Sequence, residues 1–171
     1  MGVNKFDMSG ECFSRGRKAE DLFLELSVSK DFYCKPSSKS DNIYKHVDFV
    51  LEKNSKIFTV DVKARKKTNR FDKSFEDDWI WIELKNVNGR NGWLYGASDF
   101  IAFERINDFV LICRKKLIKL VESFNIDKEL VSKANLAKYK FYQRRGRKDL
   151  STQIEMSKIL KVHGVKIWKK I

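Results

Sequence analysis

The sequence predicts an α/β protein: a mixed central β-sheet of about five strands flanked by helices. Three observations carry this. From His46 to Ala64, two runs rich in β-branched and aromatic residues alternate on either side of a short polar turn. From Asp99 to Cys113, two further runs are almost continuously apolar, as strands buried on both faces are. Apolar residues recur at i, i+3, i+4 and i+7 over 17–29, and a second inward-facing stripe follows over 115–124.

Size and composition narrow the class. The chain has 171 residues, 42% of them hydrophobic, which predicts a single domain over 1–171 with a proper core. The formal net charge is +13, an excess that favours a polyanionic partner, because neutralising phosphates releases their counterions. Three cysteines (Cys12, Cys34, Cys113) without a CxxC spacing fit neither a disulfide scaffold nor a zinc knuckle. Reduced thiols and a cytoplasmic location are expected, the host cytoplasm if the gene is carried by a phage. No secretory leader is expected in the polar stretch from Met1 to Lys18, and no apolar run approaches the roughly 20 residues of a membrane helix.

Taken in order, residues 1–15 are expected to be mobile, with Gly2, Ser9, Gly10 and Ser14 spread through them. A helix from about Arg17 to Ser29 follows, burying Ala19, Leu22, Phe23 and Leu26, with Glu20 at the edge of that face. Gly16, Arg17 and Lys18 would then lie at the helix start, where unpaired N–H groups can meet phosphate. Residues 30–42, polar and carrying Pro36, read as a surface loop.

Next come the paired strands. Asp48 lies on the first, Glu52–Lys56 supplies the turn, and Asp61 and Lys63 share one face of the second. A hairpin can bring Asp48 beside Asp61, placing two carboxylates and an ammonium in one pocket, as a divalent cation and an activated water require. Arg65, Lys66, Lys67 and Arg70 form a basic exit from this strand. Glu76, Asp77 and Asp78 read as a solvated acidic loop.

Trp79 to Lys85 alternates as a third strand and carries a second acid-x-Lys pair, Glu83 and Lys85, twenty-two residues beyond Asp61. Asn88 to Gly92 is a turn that includes Arg90, followed by Trp93 and Tyr95, which either pack on the sheet or stack on bases. Asp99 and Glu104 read as structural residues flanking the apolar strands. Past the helix over 115–124, a second helix is expected over 130–137. Residues 138–148 then hold six basic and three aromatic residues and no acid, the composition of a nucleic-acid contact. Lys140, Arg144, Arg145, Arg147 and Lys148 belong to it. A last helix is expected over 154–162, with Ile167 and Trp168 closing the sheet or a dimer seam. Residues from about 126 to 171 are thus expected as a basic extension packed on or beside the core. His46 and His163 stand in no Ser/His/Asp or HNH-like setting, and no Gly-rich phosphate loop is present.

The order helix with Glu20, strand with Asp48, turn, strand with Asp61-x-Lys63 resembles the PD-(D/E)XK nuclease superfamily, most closely its small Holliday-junction-resolvase-like and phage-type members. Val47 stands where the superfamily name has proline. The resemblance spans about residues 15–67 and implies a restriction-endonuclease-like core. It also implies catalytic roles for Glu20, Asp48, Asp61 and Lys63. Mg²⁺, with Mn²⁺ able to substitute, would be held by Glu20, Asp48, Asp61 and the Val62 carbonyl. The expected activity is hydrolysis of DNA phosphodiester bonds, in branched or duplex DNA, by a homodimer away from membranes. Arg17, Lys18, Arg65, Lys66, Lys67, Arg70, Arg90, Lys140, Arg144, Arg145, Arg147 and Lys148 would contact the nucleic acid. A restriction- or repair-type endonuclease, a non-catalytic nucleic-acid-binding module on the same fold, and an RNA-directed protein are the competing expectations.

Overall fold

A computed structural model describes residues 10–69 and 72–171. Its first element, α1 (Glu11–Ser29), starts earlier than the expected Arg17, so residues 11–15 are helical rather than mobile. Gly10 provides the left-handed entry, and its carbonyl accepts from the Ser14 N–H at 2.9 Å. Gly16, Arg17 and Lys18 therefore lie inside the helix, where N–H groups are paired, and not at an open phosphate-binding end. Ala19, Phe23 and Leu26 are buried as the helical period requires, whereas Leu22 is exposed. Asp31 ends the helix at φ 61. The N–H groups of Asp31 and Phe32 return to the carbonyls of Val28 and Ser27 at 2.9 and 3.1 Å, the paired bonds of a Schellman stop.

The expected loop over 30–42 is partly regular. β1 (Tyr33–Pro36) pairs as an edge strand with β2 (Phe49–Lys53), which is where a sheet tolerates Pro36. α2 (Lys39–Lys45) is capped by Ser38, whose Oγ accepts from the Asp41 N–H at 3.0 Å. β2 turns into β3 (Lys56–Lys63) through Asn54 and Ser55 alone, both left-handed at φ 51 and 59. Two such residues match the twist of a tight hairpin, so Glu52, Lys53 and Lys56 belong to strands and not to the turn.

β4 (Trp79–Lys85) does not join this sheet. A 3-10 turn over Trp93–Tyr95 follows, then β5 (Phe100–Glu104), which pairs parallel with β3, and β6 (Asp108–Cys113), which pairs antiparallel with β5. α3 (Arg114–Ser123) is the expected helix. β7 (Asp127–Val131) and a 3-10 turn over Ala134–Leu136 occupy the region where a second helix was expected. β8 (Lys140–Tyr142), β9 (Leu150–Glu155), α4 (Met156–Leu160) and β10 (Lys166–Lys169) complete the chain, so Ile154 ends a strand rather than opening a helix.

The strands form two sheets. One has six strands in the order β1-β2-β3-β5-β6-β10, and the other has four in the order β4-β9-β8-β7. The expectation of one central sheet of about five strands is thus corrected: β3 pairs directly with β5, which leaves β4 no place between them. The segment beyond residue 126 is structural in both sheets, with β10 alongside β6 and β7–β9 building the second.

Alternation distributes the core over both faces of the six-stranded sheet. Val60, Val62, Ala102, Phe109 and Leu111 meet α1 through Ala19, Phe23 and Leu26. Ile101, Phe103, Val110 and Ile112 point the other way, onto Ile80, Ile82 and Leu84 of β4 and onto Leu117, Ile154 and Met156. Phe23 is the centre of the first cluster: its ring lies 5.9 Å from Phe49, 5.4 Å from Phe109 and 5.6 Å from Trp168. Among the described residues, no helix is long and apolar enough to cross a membrane. Phe23→Ala removes this shared contact and leaves a cavity, so urea denaturation is expected to show a loss of about 3–5 kcal/mol. A loss under about 1 kcal/mol would place the keystone of the α1 face elsewhere.

Candidate active site

The hairpin sets the geometry. Its register pairs Phe49 with Val60, so the preceding residue, Asp48, comes opposite Asp61. The Asp48 N–H continues the ladder to the Val60 carbonyl at 2.9 Å. Because Val60 and Val62 face α1, Asp61 and Lys63 face the other side of the sheet. Lys63 Nζ lies 5.2 Å from the centre of the Trp93 ring.

Asp48 is held at both oxygens: Oδ2 accepts from the Val62 N–H at 2.7 Å, and Oδ1 from Asn42 Nδ2 at 2.6 Å. Asn42 comes from α2, a helix that the sequence reading took for loop. The Val62 carbonyl opens on the same side of its strand as the N–H that reaches Asp48.

Asp61 is 1% exposed. Lys63 Nζ donates to its Oδ1, Oδ2 is buried, and the carboxyl is also within hydrogen-bonding reach of Asp48. Burial pushes the Asp61 carboxyl up to about 8; Lys63 opposes the rise, and the adjoining Asp48 carboxylate adds to it. Glu20, partly buried on α1, is also raised, by burial and then by Asp48, against the pull of Arg17 and Lys63. Arg17 Nη1 lies 3.6 Å from Glu20 Oε2. The half-buried His46 imidazole is lowered by burial and by Lys63, with Glu83 and Asp48 acting in the opposite sense. Glu20, Asp48, Asp61, Lys63 and His46 therefore share one electrostatic environment at the end of the hairpin.

This donor set suits a hard cation: two adjoining carboxylates, one of them almost wholly buried, and a backbone carbonyl beside them. Among the described residues, no three His, Cys, Asp or Glu side chains already surround a single point. Glu20 is within electrostatic reach of Asp48 while its side chain engages Arg17.

Glu83 lies in the second sheet and not on a strand beside Asp61, so the Glu83-x-Lys85 register does not form. Glu83 instead comes near His46. A short turn holds the two sheets' residues together here. A Cβ on Gly92 would stand 2.4 Å from the Glu83 carbonyl oxygen, and one on Gly96 would stand 2.8 Å from that of Lys45. The pair Gly92 and Gly96 around Trp93 is the sequence signal for this close approach; of the two, the sequence reading places only Gly92 in a turn.

The expected phosphate contacts divide into two groups. Arg65 is paired with Asp77 at 2.6 Å, Arg144 with Asp149 at 2.7 Å, and Lys140 with Glu129 at 2.5 Å and Asp127 at 3.5 Å. Those cations stabilise the fold first. Asp77 also accepts from the Ile106 N–H at 2.9 Å, so the acidic run at 76–78 is a structural tie and not a solvated loop. Arg15, Arg65 and Lys67 gather around the Phe75 ring at 5.1, 5.4 and 5.6 Å. Lys18, Lys66, Arg90, Arg145 and Lys148 are exposed, and Arg147 is partly exposed. Arg70 lies outside the described residues. Asp99 and Glu104 anchor neighbouring strands, Asp99 to Thr59 at 2.8 Å and Glu104 to Lys170 at 2.8 Å.

Compared with family models, with curated proteins and with solved structures, the chain finds no match.

Without metal, Asp61 keeps its proton up to about pH 8 in the folded state, but in the unfolded chain it ionises near its ordinary value of about 3.9. Between those limits the folded state binds the extra proton, so stability falls as pH rises through the window and is lowest above it. Asp61→Asn removes that cost. In chelator, urea midpoints of the variant are expected to gain on the parent steadily from about pH 4 to about pH 8. Parallel pH curves for the two proteins would overturn the assignment of a buried, uncompensated acid.

Proposed function

We propose that the protein is a Mg²⁺-dependent endonuclease that hydrolyses phosphodiester bonds in DNA, of the kind found in the PD-(D/E)XK superfamily. One observation carries the reading. Asp48 and Asp61 meet across a tight hairpin within hydrogen-bonding reach of each other, Lys63 is bonded to one Asp61 oxygen, and Asp61 is almost wholly buried. Two carboxylates are costly side by side unless a proton or a cation lies between them.

Asp48, Asp61, the Val62 carbonyl and a turned Glu20 would hold the ion. When bound, it acidifies a coordinated water and offsets charge on the scissile phosphate. The protein's own contribution is positional. Asn42 and the Val62 N–H fix the Asp48 carboxylate. Asp61 and the Trp93 ring fix the Lys63 ammonium, whose charge faces the phosphate as negative charge builds on it. Water oxygen joins phosphorus, and the sugar oxygen leaves. The exposed cations Lys18, Lys66, Arg90, Arg145 and Lys148 hold the backbone through phosphates, which gives binding without base sequence. Reading by shape in this way favours branched DNA, and two symmetric cuts in a four-way junction call for a homodimer.

The test is side-by-side digestion of single-stranded DNA, duplex DNA, a four-way junction and RNA, with Mg²⁺ or with chelator. Cleavage is expected for DNA, to be strongest on the junction and to require the metal. Asp61→Asn should abolish it while leaving DNA affinity nearly intact, and Lys63→Ala should slow it by at least about 10²-fold. Full activity in Asp61→Asn would refute the site, and tight binding with no cleavage by the parent protein would leave a binding module.

A further inference from the structure

Trp93, whose ring Lys63 Nζ approaches, also borders a cleft of about 190 Å³ that the proposed chemistry does not use. Its floor is the outer face of the second sheet. Trp81 on β4 and Tyr142 on β8 meet there, with ring centres 5.3 Å apart and planes tilted by 51°. Lys66, Glu83, Arg144 and Asp149 line the cleft as well, with Arg144 Nε donating to Asp149 Oδ2 at 2.7 Å.

The volume sets the size of that ligand. Pockets for drug-sized molecules run from roughly 300 Å³ upward, so this one takes a single flat ring system. Two aromatic faces fit a planar heterocycle.

We propose that this cleft receives one unpaired nucleobase of the DNA being cut, stacked on Trp81 and Tyr142. The inference rests on the nuclease reading and narrows its substrate to DNA with an unstacked nucleotide next to the cleavage point. The cleft and the catalytic amine both adjoin Trp93, so the captured base places the adjoining phosphate near the carboxylate pair. Every base has a π-face, which makes such stacking tolerant of sequence.

The probe is branched DNA whose unpaired nucleotides at the branch are either 2-aminopurine or abasic, bound to the full-length protein in chelator. The 2-aminopurine fluorescence is expected to be quenched on binding. The DNA carrying the base should bind at least about fivefold tighter than its abasic counterpart, the lower end of what stacking on one aromatic residue supplies. Tyr142→Ala should erase that difference and Tyr142→Phe should keep it, which separates loss of the ring from loss of the fold. Equal affinity for the two DNAs together with unquenched fluorescence would overturn the proposal. Digesting the same DNAs with Mg²⁺ distinguishes the two failures. Cleavage indifferent to the base would remove the pocket and keep the nuclease. A base effect without cleavage would keep the pocket and remove the nuclease.

Discussion

The pairing of β2 with β3 is the constraint on which the remaining features depend. A two-residue turn fixes a hairpin register, and a slip of one residue would send every side chain to the opposite face. With Asn54 and Ser55 both left-handed, Asp48 and Asp61 come level, and Lys63 follows on the same face as Asp61. The same register sends Val60 and Val62 into the α1 core. The apolar packing that stabilises the fold therefore also enforces an unfavourable meeting of carboxylates. A slip that separated the acids would strand two valines in place of them.

That meeting is held from outside the hairpin. α2 contributes Asn42 to Asp48, the Trp93 turn backs Lys63, and the glycines at 92 and 96 let that turn approach the Glu83 and Lys45 backbone. Strained electrostatics supported by unstrained packing is a common property of functional sites. It explains why the acids were easier to find than the residues that position them.

What could be read from the chain depended on how local each signal was. α1, the hairpin and α3 each carry their own periodicity, β5 and β6 are near-continuous apolar runs, and Asp-x-Lys lies within a single strand. β4 alternates just as clearly, yet alternation says nothing about which strand lies alongside, and its partner β9 begins at Leu150. β7 was misread because its five residues, Asp127 to Val131, include three charged side chains and show no alternation. β1 was missed because it is a short, exposed edge strand with a proline, stabilised by its neighbour and not by its composition. The basic residues were visible as charge, but whether an arginine meets phosphate or a nearby aspartate depends on the tertiary fold. Arg65, Arg144 and Lys140 show the second outcome.

The separation between β4 and β9 has a consequence for synthesis of the protein. Residues 11–63, with the acids and the lysine, leave the ribosome before Phe109 and Trp168, against which Phe23 packs, and β4 must wait for β9 before its backbone is paired on that side. Through that interval Trp79, Ile80, Trp81 and Ile82 form an unsatisfied, strongly apolar strand edge, the kind of surface that recruits other nascent chains. Slowing of translation would thus first appear as clumping driven by this tryptophan-rich strand.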